Sequence, residues 1–177
     1  SLLGVSGSGD IYLDASAGAL NVNSTATGAN IHLGSLNNTS IATAVQTLNQ
    51  IEVVAGNIID SGKGNLSAPE IILVATSNVG SNANPLDISA QNLAGASGGD
   101  YVVNQTGGLV IGNLTSFRSG TDFNGINAGG NVCIDVITGG QGAGNLNISA
   151  PINATNSVAL RIQGGNPFSA PSIEAGA

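Results

Sequence analysis

The fold class this sequence predicts is an all-β solenoid, and three observations carry that expectation. Short segments alternate apolar and polar residues with period 2, clusters of Gly, Asn, Ser and Ala separate them, and the 177 residues include only three Phe, two Tyr, no Trp and no Met. The alternation makes strands and the clusters make turns. The shortage of aromatics argues against a sandwich, whose two-layer core spans roughly 10 Å and ordinarily uses large rings. Stacked coils enclose a narrower core, which aliphatic side chains fill by lying on their equivalents above and below. Coils of about 20 residues would number about 8 or 9, a single domain over 1–177 forming a rod on the order of 40 Å long.

The strands follow in order. DIYLDAS from Asp10, ALNVNS from Ala19 and NIHLGS from Asn30 open the pattern. PLDISA from Pro85, GLVIGN from Gly108, NVCIDV from Asn131, NLNISA from Asn145 and SVALRIQ from Ser157 continue it. Alternation puts Ile11, Leu13, Ile31, Leu33, Leu86, Ile88, Val132, Ile134 and their equivalents on the inner face. Tyr12, Asp14, His32, Asp87, Cys133, Asp135, Asn147 and Arg161 fall on the outer one. SAG, GASGGD, NAGG and TGGQGAG are read as turns.

The interval 37–50, NNTSIATAVQTLNQ, breaks the rhythm. Ile41, Val45 and Leu48 stand at helical spacing after Ser40, an N-cap residue type, so this stretch is expected to be a short helix or excursion off the rod, or else an irregular coil. APEIILVATSNVG, from Ala68, holds an unbroken apolar run from Ile71 to Ala75. It reads as one strand with Ile71 and Leu73 inward. Ile72 and Val74 then form an outward apolar stripe, a packing or assembly surface to be covered by 37–50 or by a neighbouring subunit.

The apolar fraction, 41%, is that of a chain that folds, while charged residues make up only 7%. Ten acids against three bases give a net charge of −7, and Lys63, Arg118 and Arg161 are too scattered for a phosphate-binding patch, so nucleic acid is not an expected partner. No run approaches the roughly 20 apolar residues that cross a bilayer, and membrane insertion is not expected. SLLGVSGSGD lacks a basic signal-peptide n-region, which suggests a mature product or an internal piece of a longer chain. Cys133 alone cannot make an internal disulfide.

Candidate chemistry is sparse. Some β-helices cleave polysaccharides, which requires a carboxylate cluster with a base, or paired carboxylates. Asp14, Asp87 and Asp135 could share one face by stacking, but they are isolated in sequence and read as solvated or ladder residues. His32, the only histidine, reads as a surface residue, and Cys133 as an inert thiol. No catalytic, metal-binding or cofactor-binding motif is present, including the Gly-rich phosphate loop and the Ca²⁺-binding nonapeptide. Eight Asn-x-Ser/Thr sequons, at Asn23, Asn37, Asn38, Asn65, Asn104, Asn113, Asn147 and Asn153, are candidate glycosylation acceptors. A strand with polar residues out and one aliphatic residue in produces the same triplets.

From Ala68 to Asn113, APEIILVATSNVGSNANPLDISAQNLAGASGGDYVVNQTGGLVIGN resembles the repeat regions of filamentous haemagglutinin-like exoproteins, the large bacterial adhesins exported by two-partner secretion. GDIYLDAS and GGNVCIDV are similar to that family's Gly-Asx-aliphatic-x-aliphatic coils. The resemblance implies a right-handed parallel β-helix, extracellular export and a structural or adhesive role without catalysis. The family's N-terminal secretion domain is not seen. Neither SLLGVSGSG nor PFSAPSIEAGA looks like an amphipathic cap, so further coils or another subunit are expected at the ends. Two or more carboxylates and a base converging in one groove would favour a carbohydrate-active protein, and Asn/Ser/Thr ladders a scaffold.

Overall fold

The structure, a computed structural model, describes residues 5–23, 26–137, 145–163 and 173–175. Among these residues it is all-β, and its strands, numbered in chain order, pair in parallel except in one hairpin. This is the pairing of a β-helix or solenoid-like fold. The chain returns to equivalent positions about every 20 residues, with Ile11 beside Ile31, Ile31 beside Ile51, Ile51 beside Ile71 and Ile71 beside Leu93.

Three stacks of strands result. The first contains β2 (Ile11–Ala15), β5 (Ile31–Ser35), β8 (Gln50–Ala55) and the later halves of β10 (Asn65–Ala75) and β11 (Leu86–Ser97). It continues through β13 (Leu109–Ile111) and β16 (Ile126–Ala128) to β18 (Leu146–Ile148), β19 (Ile152–Ala154) and β21 (Ile173–Ala175). The second holds β3 (Leu20–Val22), β6 (Asn38–Ile41) and β9 (Asn57–Asp60), extended by bridges from Ile58 to Val79 and from Val79 to Tyr101. The third runs from β1 (Val5–Ser6) through β4 (Ala26–Gly28), β7 (Ala44–Thr47) and the early halves of β10 and β11 to β12 (Tyr101–Thr106), β17 (Val132–Ile137) and β20 (Val158–Gln163).

The inward residues form one core of Ile, Leu, Val and Ala, among them Ile31, Leu33, Ile51, Val53, Ile71, Leu73, Leu86 and Ile88, all at 0% exposure. Each such side chain contributes roughly 1.5–3 kcal/mol by leaving water. Among the described residues Tyr101 is the one aromatic enclosed in this core. Gln105 also points inward, and its amide repeats the pattern of a strand, accepting from the Ala90 N–H at 3.0 Å and donating to the Ala90 carbonyl at 2.9 Å. Polar ladders finish the corners. Asn57 donates to Asn38, the backbone N–H groups of Asn78 and Asp100 donate to Asn57 and Asn78, Asn131 donates to Asp100, and Ser157 donates to Asn131.

Two expectations need correction. The interval 37–50 holds no helix or excursion: it supplies β6, β7 and the first residue of β8, all in register with their neighbours. Ile41 and Val45 are buried between Val22 and Asp60 and between Ala26 and Leu66, whereas Leu48 is exposed. Helical spacing there is incidental. β-branched Thr39, Ile41, Val45 and Thr47 suit a pleated strand, and the stack already offers them partners. Gly95–Ser97 and Asn127–Ala128, read as turn residues, lie in β11 and β16. The TGGQGAG cluster lies outside the described residues.

The Tyr101 hydroxyl is enclosed and has no hydrogen-bond partner among the described residues, and burial pushes its ionisation well above the ordinary phenol range. An unpaired buried hydroxyl is destabilising. Tyr101→Phe is therefore expected to raise unfolding stability by about 1 kcal/mol, measurable by denaturant titration.

Candidate functional site

The outward residues of the first stack form two rows. One reads Tyr12, His32, Glu52, Ile72, Ala94, and the other Asp14, Gly34, Val54, Val74, Ala96. Both pass from apolar at Ala94 and Ala96 to polar at Tyr12 and Asp14. A hairpin lies along them.

The hairpin leaves the stack between β13, which pairs with Asn92–Leu93, and β16, which pairs with Gly95–Ser97, so it emerges opposite Ala94. Its strands are β14 (Asn113–Thr115) and β15 (Asp122–Asn124), antiparallel with Leu114 opposite Phe123. Gly125 ends it at φ +73°, where a Cβ would also run into the Pro151 carbonyl. Leu114 and Phe123 pack with Ile72, Ala94 and Val74 in a small apolar cluster apart from the main core. The cover over the Ile72/Val74 stripe is thus the chain's own hairpin rather than segment 37–50, of which only Gln50 touches it. The sequence hid this because the hairpin is 41 or more residues away from Ile72 along the chain.

Farther along, Gln50 receives the hairpin on its amide. Its Nε2 donates to the Thr115 carbonyl at 3.0 Å and to Glu70 at 2.9 Å, and its Oε1 accepts from the Phe117 N–H at 2.9 Å. At the tip, Phe117 meets Tyr12 with ring centroids 5.6 Å apart, and Arg118 forms a two-pronged pair with Asp14, both N–O distances being 2.9 Å. His32 is 3% exposed and lies between two carboxylates, Nδ1 3.0 Å from Glu52 and Nε2 3.3 Å from Asp14. Only the imidazolium form donates on both sides. His32 is therefore no surface residue. Period 2 correctly turned it outward, but outward here means beneath the hairpin.

Gly34 makes this possible. A Cβ at that position would occupy the place of the Asp14 carboxylate. The Arg118 hydrogen bond, helped by His32 and opposed by burial, holds the Asp14 acid below its ordinary value of 3.8. Beside the charged group opens a cleft of about 590 Å³ lined by Leu36, Val54, Val74, Phe123 and the charged side chains. Convergent carboxylates beside a histidine are the raw material of acid–base chemistry. Here, though, both nitrogens of His32 are engaged, Glu52 is 3% exposed, and Asp14 is spent on Arg118 and His32.

The other candidates do not join this group. Asp87, Asn104, Asp135 and Arg161 form a separate row on the third stack, so Asp14 shares no face with the other two aspartates. Asn104 donates to Asp87 at 3.1 Å, and Asp135 pairs with Arg161 at 3.6 Å. Burial, reinforced by Asp135, pushes the Cys133 thiol up, away from the reactive thiolate. Among the described residues no group of three or more His, Cys, Asp or Glu could hold a metal ion. Asn23, Asn38, Asn113 and Asn153 are exposed, while Asn65, Asn104 and Asn147 are half-buried. Glu52, Gln50 and the role of Arg118 escaped sequence reading. Laying QIEVVA under NIHLGS at the 20-residue repeat would have placed Glu52 beside His32.

Gly34→Ala should leave the core intact and displace the Asp14 carboxylate. Limited trypsin digestion is expected to cut after Arg118 severalfold faster while cleavage after Lys63 is unchanged. Because the Asp14 acid is lowered, its stabilising contribution is complete above 3.8 and is lost as pH falls below that value. Melting temperatures of the native and Asp14→Asn proteins should differ at neutral pH and converge in acid. No family model matches the chain, and no curated protein or solved structure matches it either.

Proposed function

We propose that the chain is a right-handed parallel β-helix of about 8 or 9 coils acting as a non-enzymatic structural or adhesive module of the extracellular space. It would be a shaft segment of a large surface exoprotein of the filamentous haemagglutinin-like kind, or a subunit of an extracellular fibre that stacks end to end. The observation that carries this reading is the repeated in-register return near every 20 residues, edged by Asn, Asp and Ser ladders. Such a structure is all rod. Asp14, His32, Glu52 and Arg118 engage one another, Asp135 pairs with Arg161, and the ladders present rows of uncharged polar side chains suited to a surface glycan or a cell-surface receptor. The sequons fit an exported chain that carries sugar at some of these asparagines.

A second reading, a carbohydrate-binding or carbohydrate-active β-helix, is favoured by one observation: Asp14, His32 and Glu52 converge beside the cleft under the hairpin. Electron microscopy of the native material, paired with a polysaccharide panel, separates the two. The shaft reading expects density repeating or continuing along an axis at roughly 40 Å per chain, with no release of reducing ends. Discrete particles that cleave a polysaccharide, and lose this activity in His32→Ala, would replace it with the second.

A further inference from the structure

In a stack of parallel strands each rung touches only the rungs directly above and below it. Opening is then expected to begin at an edge strand and to travel one rung at a time, so that stability grades from edge to centre. β2 is such an edge, since it pairs only with β5 among the described residues.

The hairpin breaks that rule. Its base is packed on Ile72 and Ala94, its first strand is held by Gln50, and its tip reaches Tyr12 and Asp14 on β2. These contacts join residues 65, 67 and 104 positions apart. Ser116 is 1% exposed and braces the turn, its carbonyl accepting from the Gly120 N–H and its hydroxyl from the Ser119 N–H, so the tip is a built turn. Beneath it, Glu52, His32 and Asp14 link β8, β5 and β2 side by side and end on Arg118. The tip therefore grips the outermost described rung of the first stack. Opening β2 requires releasing Arg118 and Phe117, which opens the side of the buried His32–Glu52 pair.

We infer that the hairpin is a longitudinal clamp that makes the first-stack strands β2, β5 and β8 open together with the hairpin tip as one cooperative unit. Rungs that are not neighbours thereby become energetically coupled. In a shaft, this would suppress rung-by-rung opening along the first stack under load. The inference rests on packing alone and stands or falls independently of the adhesive reading.

Hydrogen exchange of the full chain tests it. With the clamp intact, slow amides of Ile11–Ala15, Ile31–Ser35 and the hairpin tip should share one protection level. Arg118→Ala should lower protection in Ile11–Ala15 on the order of fivefold, with a smaller loss in Ile31–Ser35 and none in Tyr101–Thr106. The reciprocal variant, Leu13→Ala, changes an inward core side chain and should lower protection at the tip itself. Graded protection in the native chain, or a response to Arg118→Ala confined to Ser116–Thr121, would overturn the clamp. So would an unchanged tip in Leu13→Ala.

Discussion

Parallel in-register stacking is the constraint on which every other contact depends. It places residues about 20 apart in sequence one strand spacing apart in space, roughly 4.8 Å, and repeats this along the molecule. One consequence is the core, in which aliphatic side chains lie on aliphatic side chains and aromatic filler is not needed. Another is the corner ladder, where Asn, Asp and Ser side chains take up the polar groups left at the turns. A third is that outward residues come in rows whose chemistry changes from rung to rung.

The first-stack row shows what such a change permits. Ile72 and Ala94 offer an apolar seat, and Glu52, His32 and Tyr12 a polar track leading away from it. The hairpin has the matching gradient, with Leu114 and Phe123 at its base and Phe117 and Arg118 at its tip. Its direction is therefore set by complementarity: reversed, it would bury Arg118 against Ile72 and leave Leu114 over charge. Burying unpaired charge is far costlier than burying a paired one, so only one orientation is stable.

The same contacts engage every member of a chemically suggestive group. A catalytic histidine needs a free nitrogen facing a reacting atom. His32 instead has a carboxylate at each nitrogen, and the exposed carboxylate of the pair is itself engaged by a guanidinium. Contacts of this kind engage the buried groups, fix the ring and tie separate rungs to the hairpin. Low charge elsewhere makes the group stand out, since only 7% of the chain is charged.

By itself the sequence determined the strand class, the inward and outward assignment of residues such as Ile31 and His32, the aliphatic core, and the presence of an outward stripe at Ile72 and Val74. All of these follow from period 2 and composition, which are local. It misread 37–50, where the i, i+4, i+7 spacing of Ile41, Val45 and Leu48 mimicked a helix that neighbouring strands override. Tertiary structure alone decided what covers the stripe, that Asp14 lies apart from Asp87 and Asp135, and that His32 lies buried beneath the hairpin. Those depend on the register between rungs and on a hairpin returning across them. Contacts spanning up to 104 residues leave no periodic trace in the stretch where either partner stands.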